Sequence, residues 1–167
     1  MKKVPKKVTK PKKEVKEDPV ITTHHEAGRD YFIIEAMEAG LVLGGCEVKS
    51  LRDRKASLSG SFARFEKEEL FIYNLFIPPY AMGNRENPEP TRPRKLLLHR
   101  NQLERLKSKM QEKGLAIIPL KLYFKHGIAK VEIALAKGKK LWDKRTDIKK
   151  QDIKREMDRA IKNRNRG

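Results

Sequence analysis

The sequence predicts a mainly β domain with short helices, folded as a small closed antiparallel barrel and flanked by two basic tails. Aromatic and β-branched residues form five or six short segments that are separated by turn residues, which is typical of strands. Within the domain, two stretches, 47–55 and 101–113, have a helical spacing of apolar residues. The 167 residues fit one domain of ordinary size plus tails.

The N-terminal residues 1–20 are expected to form a flexible basic arm. Their three prolines and eight lysines leave too little apolar surface for a core. The domain is predicted to span residues 21–138. Its first strands are expected at 31–34 and 40–43, followed by Gly44 and Gly45 as a turn or bulge.

The middle of the domain is predicted to contain a short helix, a hairpin and a loop. Residues 47–55 are compatible with a helix whose other face is basic. Two strands, 61–66 and 70–77, are expected to flank a charged turn. Residues 78–95 contain five of the nine prolines, so we expect a long loop, a place where function often resides.

The clearest helix is expected to begin with Asn101 as its N-cap, with Glu104 three residues later, and to stop at Gly114. A last hairpin follows, with strands at 115–124 and 128–136.

Residues 139–167 are predicted to form a basic C-terminal tail that is disordered alone and able to fold on binding. The apolar stripe is thin among many like charges; it consists of Ile148, Ile153, Met157 and Ile161. Trp142 has no core nearby in this segment, so we expect its ring to stack on a base or to dock on a partner. The alternative is that it packs back on the barrel.

The charge balance favours a polyanionic partner, with nucleic acid first. Forty basic against 22 acidic residues give a net charge of +18. Both tails are basic, and so is the proline-rich loop with Arg92, Arg94 and Lys95. A merely solvated basic surface is the alternative.

Motifs for catalysis or metal binding are missing from the sequence. At Gly138-Lys139, the other P-loop positions hold Ile133 and Lys140, which excludes that phosphate site. Four histidines and one cysteine have no zinc spacing. Cys46 is expected to be a small buried core residue rather than a nucleophile. We therefore expect no enzyme, no metal and no cofactor; with no membrane-length apolar run, we expect no membrane partner and a cytoplasmic location.

Eight motifs, in order within residues 28–146, resemble the SsrA-binding protein family, also called small protein B. They are DYFI (30–33), EAG (38–40), EVKSLR (47–52), PY..GN (79–84), RKLLLH (94–99), PLKLY (119–123), GKK (138–140) and DKR (143–145). The resemblance implies an oligonucleotide-binding (OB) type β-barrel with a basic tail, in a monomeric bacterial protein of the cytoplasm. It also implies that the protein needs no cofactor and does not itself form a covalent bond in the process.

The function implied by the resemblance is that of an RNA-binding adaptor. Such an adaptor binds the tRNA-like domain of transfer-messenger RNA (SsrA RNA) and delivers it to stalled 70S ribosomes for trans-translation. Incomplete proteins are thereby tagged for degradation. The alternative is a generic basic ribosome-associated RNA-binding protein, and an RNA-modifying enzyme is a more distant one.

The resemblance also implies which residues bind RNA and which engage the ribosome. Glu38 of the EAG motif and Leu97 and His99 of the RKLLLH motif belong to the RNA-binding surface, and Arg94 and Lys95 are expected to anchor phosphates. For His99, a plain capping or surface role is the alternative. A second set is implied to engage the decoding centre and the empty messenger channel of the ribosome, where the tail becomes helical: Gly138, Lys139, Lys140, Trp142, Asp143, Lys144 and Arg145.

Overall fold

The computed structural model describes residues 20–83, 87–111 and 114–140, together with positions 153, 156, 157, 159 and 161. The described part is mainly β with short helices, which confirms that part of the prediction. Its elements in chain order are β1 (Val20–Thr23), α1 (Ala27–Asp30), β2 (Tyr31–Leu41), α2 (Gly45–Arg52), β3 (Phe62–Glu66), β4 (Glu69–Tyr73), β5 (Arg94–Leu97), α3 (Arg100–Lys109), β6 (Leu115–Lys125) and β7 (Ile128–Gly138).

These strands form one antiparallel sheet with the order β1-β6-β3-β4-β5-β2-β7. Strand β6 also pairs with β7, its hairpin partner, along almost its whole length. The contact between β3 and β6 is much shorter, because Ala63 and Ile117 form its only register pair among the described residues.

The two strands predicted at 31–34 and 40–43 are one continuous strand, β2. Its register against β7 shifts between Ile33 and Glu35. Such a bulge moves the following side chains to the opposite face, so the alternation breaks although the strand continues. Gly44 and Gly45 do not make a turn between strands: Gly44 is the N-cap of α2, and Gly45 is the first residue of that helix.

Both predicted hairpins are confirmed. In β3–β4, Lys67 lies at the turn with φ 54°, and β4 ends at Tyr73 because Asn74 adopts φ 56°. In β6–β7, His126 and Gly127 have φ values of 50° and 78°. Two consecutive left-handed residues are what a tight two-residue hairpin turn requires.

The loop predicted at 78–95 is shorter, because residues 94–97 form β5 between β4 and β2. A strand of four residues directly after Pro93 has too little alternation to be recognised. The predicted N-cap was also wrong. Helix α3 has His99 as its N-cap, and Gln102, rather than Glu104, accepts a hydrogen bond from the backbone N–H of the N-cap at 3.1 Å. The helix ends at Lys109, before Gly114.

The hydrophobic core lies between the inner face of the sheet and the helices. Leu51 of α2 and Leu106 of α3 are fully buried in it. The strands supply the rest, including Leu70, Ile72, Leu96, Leu122, Val131 and Ile133. A smaller cluster around Ala27 lies beneath α1. Burial of this apolar surface is the main source of stability.

The tails are described only in part. Positions 1–19 of the predicted arm lie outside the described residues, and so do most positions of the predicted tail. The five described tail positions are helical and exposed; they are Ile153, Glu156, Met157, Arg159 and Ile161. No helix within the described ranges is long and apolar enough to cross a membrane.

Candidate nucleic-acid interface

Three residues that the sequence assigned to RNA binding meet at one open pocket of about 450 Å³. Glu38 reaches the pocket from β2, Leu97 from the end of β5 and His99 from the start of α3. The pocket is completed by Gly40, Leu41, Leu98, Gln102, Ile128 and Lys130.

An exposed leucine gives the pocket an apolar wall. The Leu97 side chain is 50% exposed, although it belongs to a strand. It lies opposite Gly40 in the β2–β5 ladder, and a Cβ at Gly40 would be 3.2 Å from the Leu97 Cβ. Glycine therefore permits this close approach of the two strands. Ile128, which is 60% exposed at the beginning of β7, adds a second apolar side chain to the lining.

His99 is the N-cap residue of α3 and also lines the pocket. Its backbone has the extended conformation of an N-cap, with φ −66° and ψ 148°. Its side chain makes no capping hydrogen bond and lies exposed at the pocket. The backbone of His99 therefore begins α3, while its imidazole faces the candidate ligand site.

The Glu38 carboxylate is already engaged by side chains of β6 and β7. Its Oε2 accepts hydrogen bonds from the Tyr123 hydroxyl at 2.5 Å and from Lys125 Nζ at 2.9 Å. Its Oε1 lies 3.5 Å from Lys130 Nζ. The hydrogen bond from Tyr123 and that from Lys125 lower the pKa of Glu38 to about 2. This carboxylate is therefore ionised at neutral pH and has donors within the protein.

The structure corrects the expected role of Arg94. Its side chain is 0% exposed, so no surface of it is available to a phosphate. The guanidinium donates to Glu47 Oε1 at 2.8 Å and to the carbonyl oxygens of Pro90 and Arg92 at 2.9 and 3.1 Å. It also donates to the carbonyl of Leu75. Arg94 thus holds the proline-rich loop on the sheet.

Glu47 is the centre of this buried cluster, a structural role that the sequence did not reveal. It is 3% exposed, and its carboxylate accepts from Arg92 at 2.6 Å, from Arg94 at 2.8 Å and from the Gly44 backbone N–H at 2.7 Å. Burial raises the pKa of Glu47, but the hydrogen bonds from Arg92, Gly44 and Arg94 outweigh this and lower it overall. The loop is therefore less basic at its surface than its sequence indicates.

Lys95 lies on the other face of β5 from Arg94, because side chains alternate along a strand. It is partly exposed and forms an ion pair with Glu69. Leu97, two residues further on, shares this face. Lys95 therefore lies on the same side of β5 as the pocket wall.

The predicted ribosome-engaging stretch begins where β7 ends. Gly138 pairs with Tyr31, and the Lys139 N–H donates to the carbonyl of Asp30 at 2.9 Å. Lys139 Nζ donates to the Gly28 carbonyl at 2.8 Å and lies 4.7 Å from the centre of the Phe32 ring. The chain thus leaves the sheet beside α1. Lys140 is exposed, whereas Trp142, Asp143, Lys144 and Arg145 lie outside the described residues.

Cys46 differs from its expected place in the core. It is the second residue of α2 and is only half-buried. Within the described ranges, no group of three or more His, Cys, Asp or Glu residues is placed to hold a metal ion.

The fold and the pocket define a class: a basic, mainly β protein with a candidate RNA-binding surface of lysines, exposed apolar side chains and a histidine. Residues 21–163 match the family model described as "SmpB protein". The chain therefore belongs to the SmpB family, which confirms the resemblance seen in the motifs.

Several relatives, each named SsrA-binding protein, cover most of this chain. The protein of Pelotomaculum thermopropionicum is 57% identical over 147 residues, which cover 88% of this chain and 96% of the relative. That of Geobacter sulfurreducens is 55% identical over 145 residues, covering 87% and 95%. That of Shouchella clausii is 53% identical over 154 residues, covering 92% and 99%.

A solved structure is also similar. It is described as "tmRNA-SmpB: a journey to the center of the bacterial ribosome" and shares 51% sequence identity with a TM-score of 0.61. The match covers 72% of this chain and 85% of that chain.

Proposed function

We propose that this chain binds transfer-messenger RNA (SsrA RNA) and delivers it to stalled 70S ribosomes for trans-translation, so that incomplete proteins are tagged for degradation. Membership of the SmpB family is the observation that carries this function. The solved relative, which is described with transfer-messenger RNA and the bacterial ribosome, supports it.

The tRNA-like domain of the RNA binds, on this proposal, at the pocket that gathers Glu38, Leu97 and His99. Leu97 and Ile128 pack on sugar or base faces, and lysines around the pocket contact phosphates. Structured RNA is read mainly by shape and backbone, so a surface of this kind suits it better than a deep cleft.

We further propose that the sheet is a closed barrel of the OB type. The pairing of β6 with β7 supports this, because it joins the last strand of the sheet order to its second strand and leaves β1 as an added edge strand. Barrels of this type carry nucleic acid on their strands and on the loops beside them.

The tail is proposed to act on the ribosome. Residues Gly138, Lys139, Lys140, Trp142, Asp143, Lys144 and Arg145 engage the decoding centre, and residues 139–167 become an ordered helix in the empty messenger channel. The entropy cost of ordering the tail is offset only where the channel is vacant, which makes the tail a sensor of missing message. The chain acts as a cytoplasmic monomer and catalyses no reaction.

A generic basic ribosome-associated RNA-binding protein is the second candidate, and the net charge of +18 favours it. Such a protein would bind structured RNAs through phosphates alone and would show no preference among them.

Gel shifts over a salt series test the function. The full chain is titrated with the tRNA-like domain of transfer-messenger RNA, with a tRNA and with an RNA duplex of equal length. We expect a preference for the tRNA-like domain that persists as salt rises, because shape-specific contacts are less sensitive to salt than phosphate contacts are. Equal affinity for the three RNAs at every salt concentration would overturn the proposal.

A matched pair of variants tests whether the RNA binds at the pocket. Leu97→Ala should weaken binding of the tRNA-like domain about tenfold, because burial of a leucine side chain contributes about 1.5–3 kcal/mol. Ile34→Ala is the control, since Ile34 is 55% exposed on β2 and does not line the pocket. Equal losses in the two variants would contradict this location.

A further inference from the structure

We propose that the basic arm, residues 1–19, is a second RNA-contacting segment whose lysines bind phosphates on either side of the RNA portion held at the pocket. This inference rests on the proposed function and extends it to residues that the family match does not include, since that match begins at residue 21. The arm is proposed to add affinity rather than selectivity, because phosphate contacts carry no sequence information.

The strand that follows the arm begins beside the pocket. Val20, the first residue of β1, pairs with Tyr123 near the end of β6. The Tyr123 hydroxyl donates to the carboxylate of Glu38, which lines the pocket. A single side chain therefore connects the strand pair at which the arm joins the sheet to the candidate RNA site.

The direction of β1 agrees with this placement. Its antiparallel pairing with β6 runs from Val20 opposite Tyr123 to Thr23 opposite Lys121. Strand β1 therefore starts at the end of β6 that leads into the β6–β7 turn. Ile128, the first residue after that turn, also lines the pocket. The arm is thus attached at the end of the sheet that carries the pocket.

The arm and the C-terminal tail are attached at opposite ends of the domain. Strand β7 leads away from the pocket to Gly138, which pairs with Tyr31. Gly138 lies eight positions after Lys130 of the pocket, a distance of about 27 Å along a strand. The local concentration of a tethered segment falls as the distance to its target grows. The arm is therefore better placed than the tail to contact RNA at the pocket.

The positive charge of the arm is concentrated away from its attachment point. Residues 1–13 contain seven lysines and no acidic residue, whereas residues 14–18 contain three acidic residues and one lysine. Such a block of like charges is typical of tails that bind nucleic acid. Lys13 is seven positions before Val20, so the chain between them spans at most about 25 Å. The lysines can therefore meet phosphates beyond the pocket.

The cations near the pocket are partly neutralised within the protein. Lys125 and Lys130 both lie within ion-pair distance of Glu38, and Lys95 pairs with Glu69. Neutralisation of phosphates by cations supplies most of the sequence-independent affinity for nucleic acid. We therefore assign a large part of that affinity to the seven lysines of residues 1–13, which have no acidic residue among them in the sequence.

Two variants of the full chain that lose equal charge test the inference. The arm variant carries Lys2→Gln, Lys3→Gln, Lys6→Gln, Lys7→Gln, Lys10→Gln, Lys12→Gln and Lys13→Gln. The tail variant is its matched control and carries Lys149→Gln, Lys150→Gln, Lys154→Gln, Arg155→Gln, Arg159→Gln, Lys162→Gln and Arg164→Gln. RNA affinity alone is compared, because the tail is proposed to act on the ribosome.

Gel shifts with the tRNA-like domain over a salt series measure the two effects. We expect the arm variant to bind about tenfold more weakly and to reduce the slope of log K against log salt by roughly two to three, which corresponds to the loss of two to three phosphate contacts. The tail variant should lose less than about threefold in affinity. Circular dichroism and thermal unfolding verify that both variants are folded.

Hydroxyl-radical cleavage of the RNA backbone locates the contacts. The wild-type chain should protect nucleotides that the arm variant leaves open, while the tail variant should give the wild-type pattern. Equal affinity losses in the two variants, or the same protection in the arm variant as in the wild type, would overturn the inference. Equal wild-type binding to the tRNA-like domain, a tRNA and a duplex would instead contradict the proposed function, and the comparison of the two variants would still test the arm.

Discussion

Arg94 is fully buried, and its charge is balanced by Glu47 beneath the proline-rich loop. Burial lowers the pKa of Arg94, although hydrogen bonds and charge from Glu47 oppose this. A buried ion pair is not necessarily better than an apolar pair, but removing one partner leaves an uncompensated charge. Arg94 and Glu47 therefore act on stability rather than on RNA contact.

Arg94→Met should reduce the free energy of unfolding by about 3–5 kcal/mol, because it removes one partner of a buried pair. Urea unfolding measures this. Lys95→Met, the next residue on β5, removes an exposed ion pair with Glu69 and should cost less than about 1 kcal/mol. Equal losses of unfolding free energy in the two variants would contradict the larger effect expected from the burial of Arg94.

Glu38 should make stability depend on pH. Because its pKa in the folded protein is lowered from 4.5 to about 2, its stabilising effect is fully present above about pH 4.5 and is lost as the pH falls towards 2. The difference in unfolding free energy between wild type and Glu38→Gln should therefore be constant from pH 7 to 5 and decrease below that. Urea unfolding at several pH values checks this, and a difference that is the same at pH 7 and pH 2 would contradict it.

At the scale of the element, helix α3 begins at the pocket with a weak N-cap. Histidine is not a favoured N-cap, whereas Asp, Asn, Ser and Thr are. The His99 side chain makes no capping bond, and only the side chain of Gln102 turns back to the backbone there. This weak cap is consistent with the proposed contact of the imidazole with RNA.

His99→Asp should increase the free energy of unfolding by about 0.5–1 kcal/mol, because its carboxylate can accept a backbone N–H and favours the helix N-terminus. The same variant should bind the tRNA-like domain more weakly, since an acid replaces the imidazole at the pocket. Thermal unfolding and gel shifts measure the two effects. His99→Ala is the control for loss of the ring without a new cap. Undiminished RNA binding in both variants would leave His99 as a capping residue only.

At the scale of the whole molecule, RNA binding and ribosome action are proposed to lie on different parts of the chain. The pocket is built by β2, β5, α3 and β7, and the tail leaves from the end of β7 beside α1. The tail also carries a large share of the positive charge, with twelve basic and five acidic residues in 138–167. Charge alone would therefore make the tail a general RNA-binding segment.

Alanine at Asp143, Lys144 and Arg145 together should change the affinity for the tRNA-like domain by less than about threefold, because the two lost basic residues would account for few phosphate contacts. The same variant should stop tagging in a reconstituted translation system stalled on a message without a stop codon. Leu97→Ala should reduce both binding and tagging. Equal affinity losses in the two variants would contradict the division of roles.

Local patterns predicted much of the fold. The β6–β7 hairpin was predicted because His126 and Gly127 separate two long apolar runs, and the β3–β4 hairpin because a charged turn separates two aromatic ones. Strand β5 was missed, since four residues after a proline hold too little periodicity. The start of α3 was misplaced by two residues because Asn101 and Glu104 match a capping pattern that the chain does not use.

By itself, the sequence determined the family, the basic character, the β-rich class and three pocket residues, because motifs, composition and turn residues are properties of neighbouring positions. The tertiary structure decided which charges are buried and which side chains they pair with. It buried Arg94 against Glu47, and it brought Lys125 to Glu38 across 87 positions of the chain. The partner of a charged side chain depends on which strands become neighbours and in which register, and no local pattern contains that information.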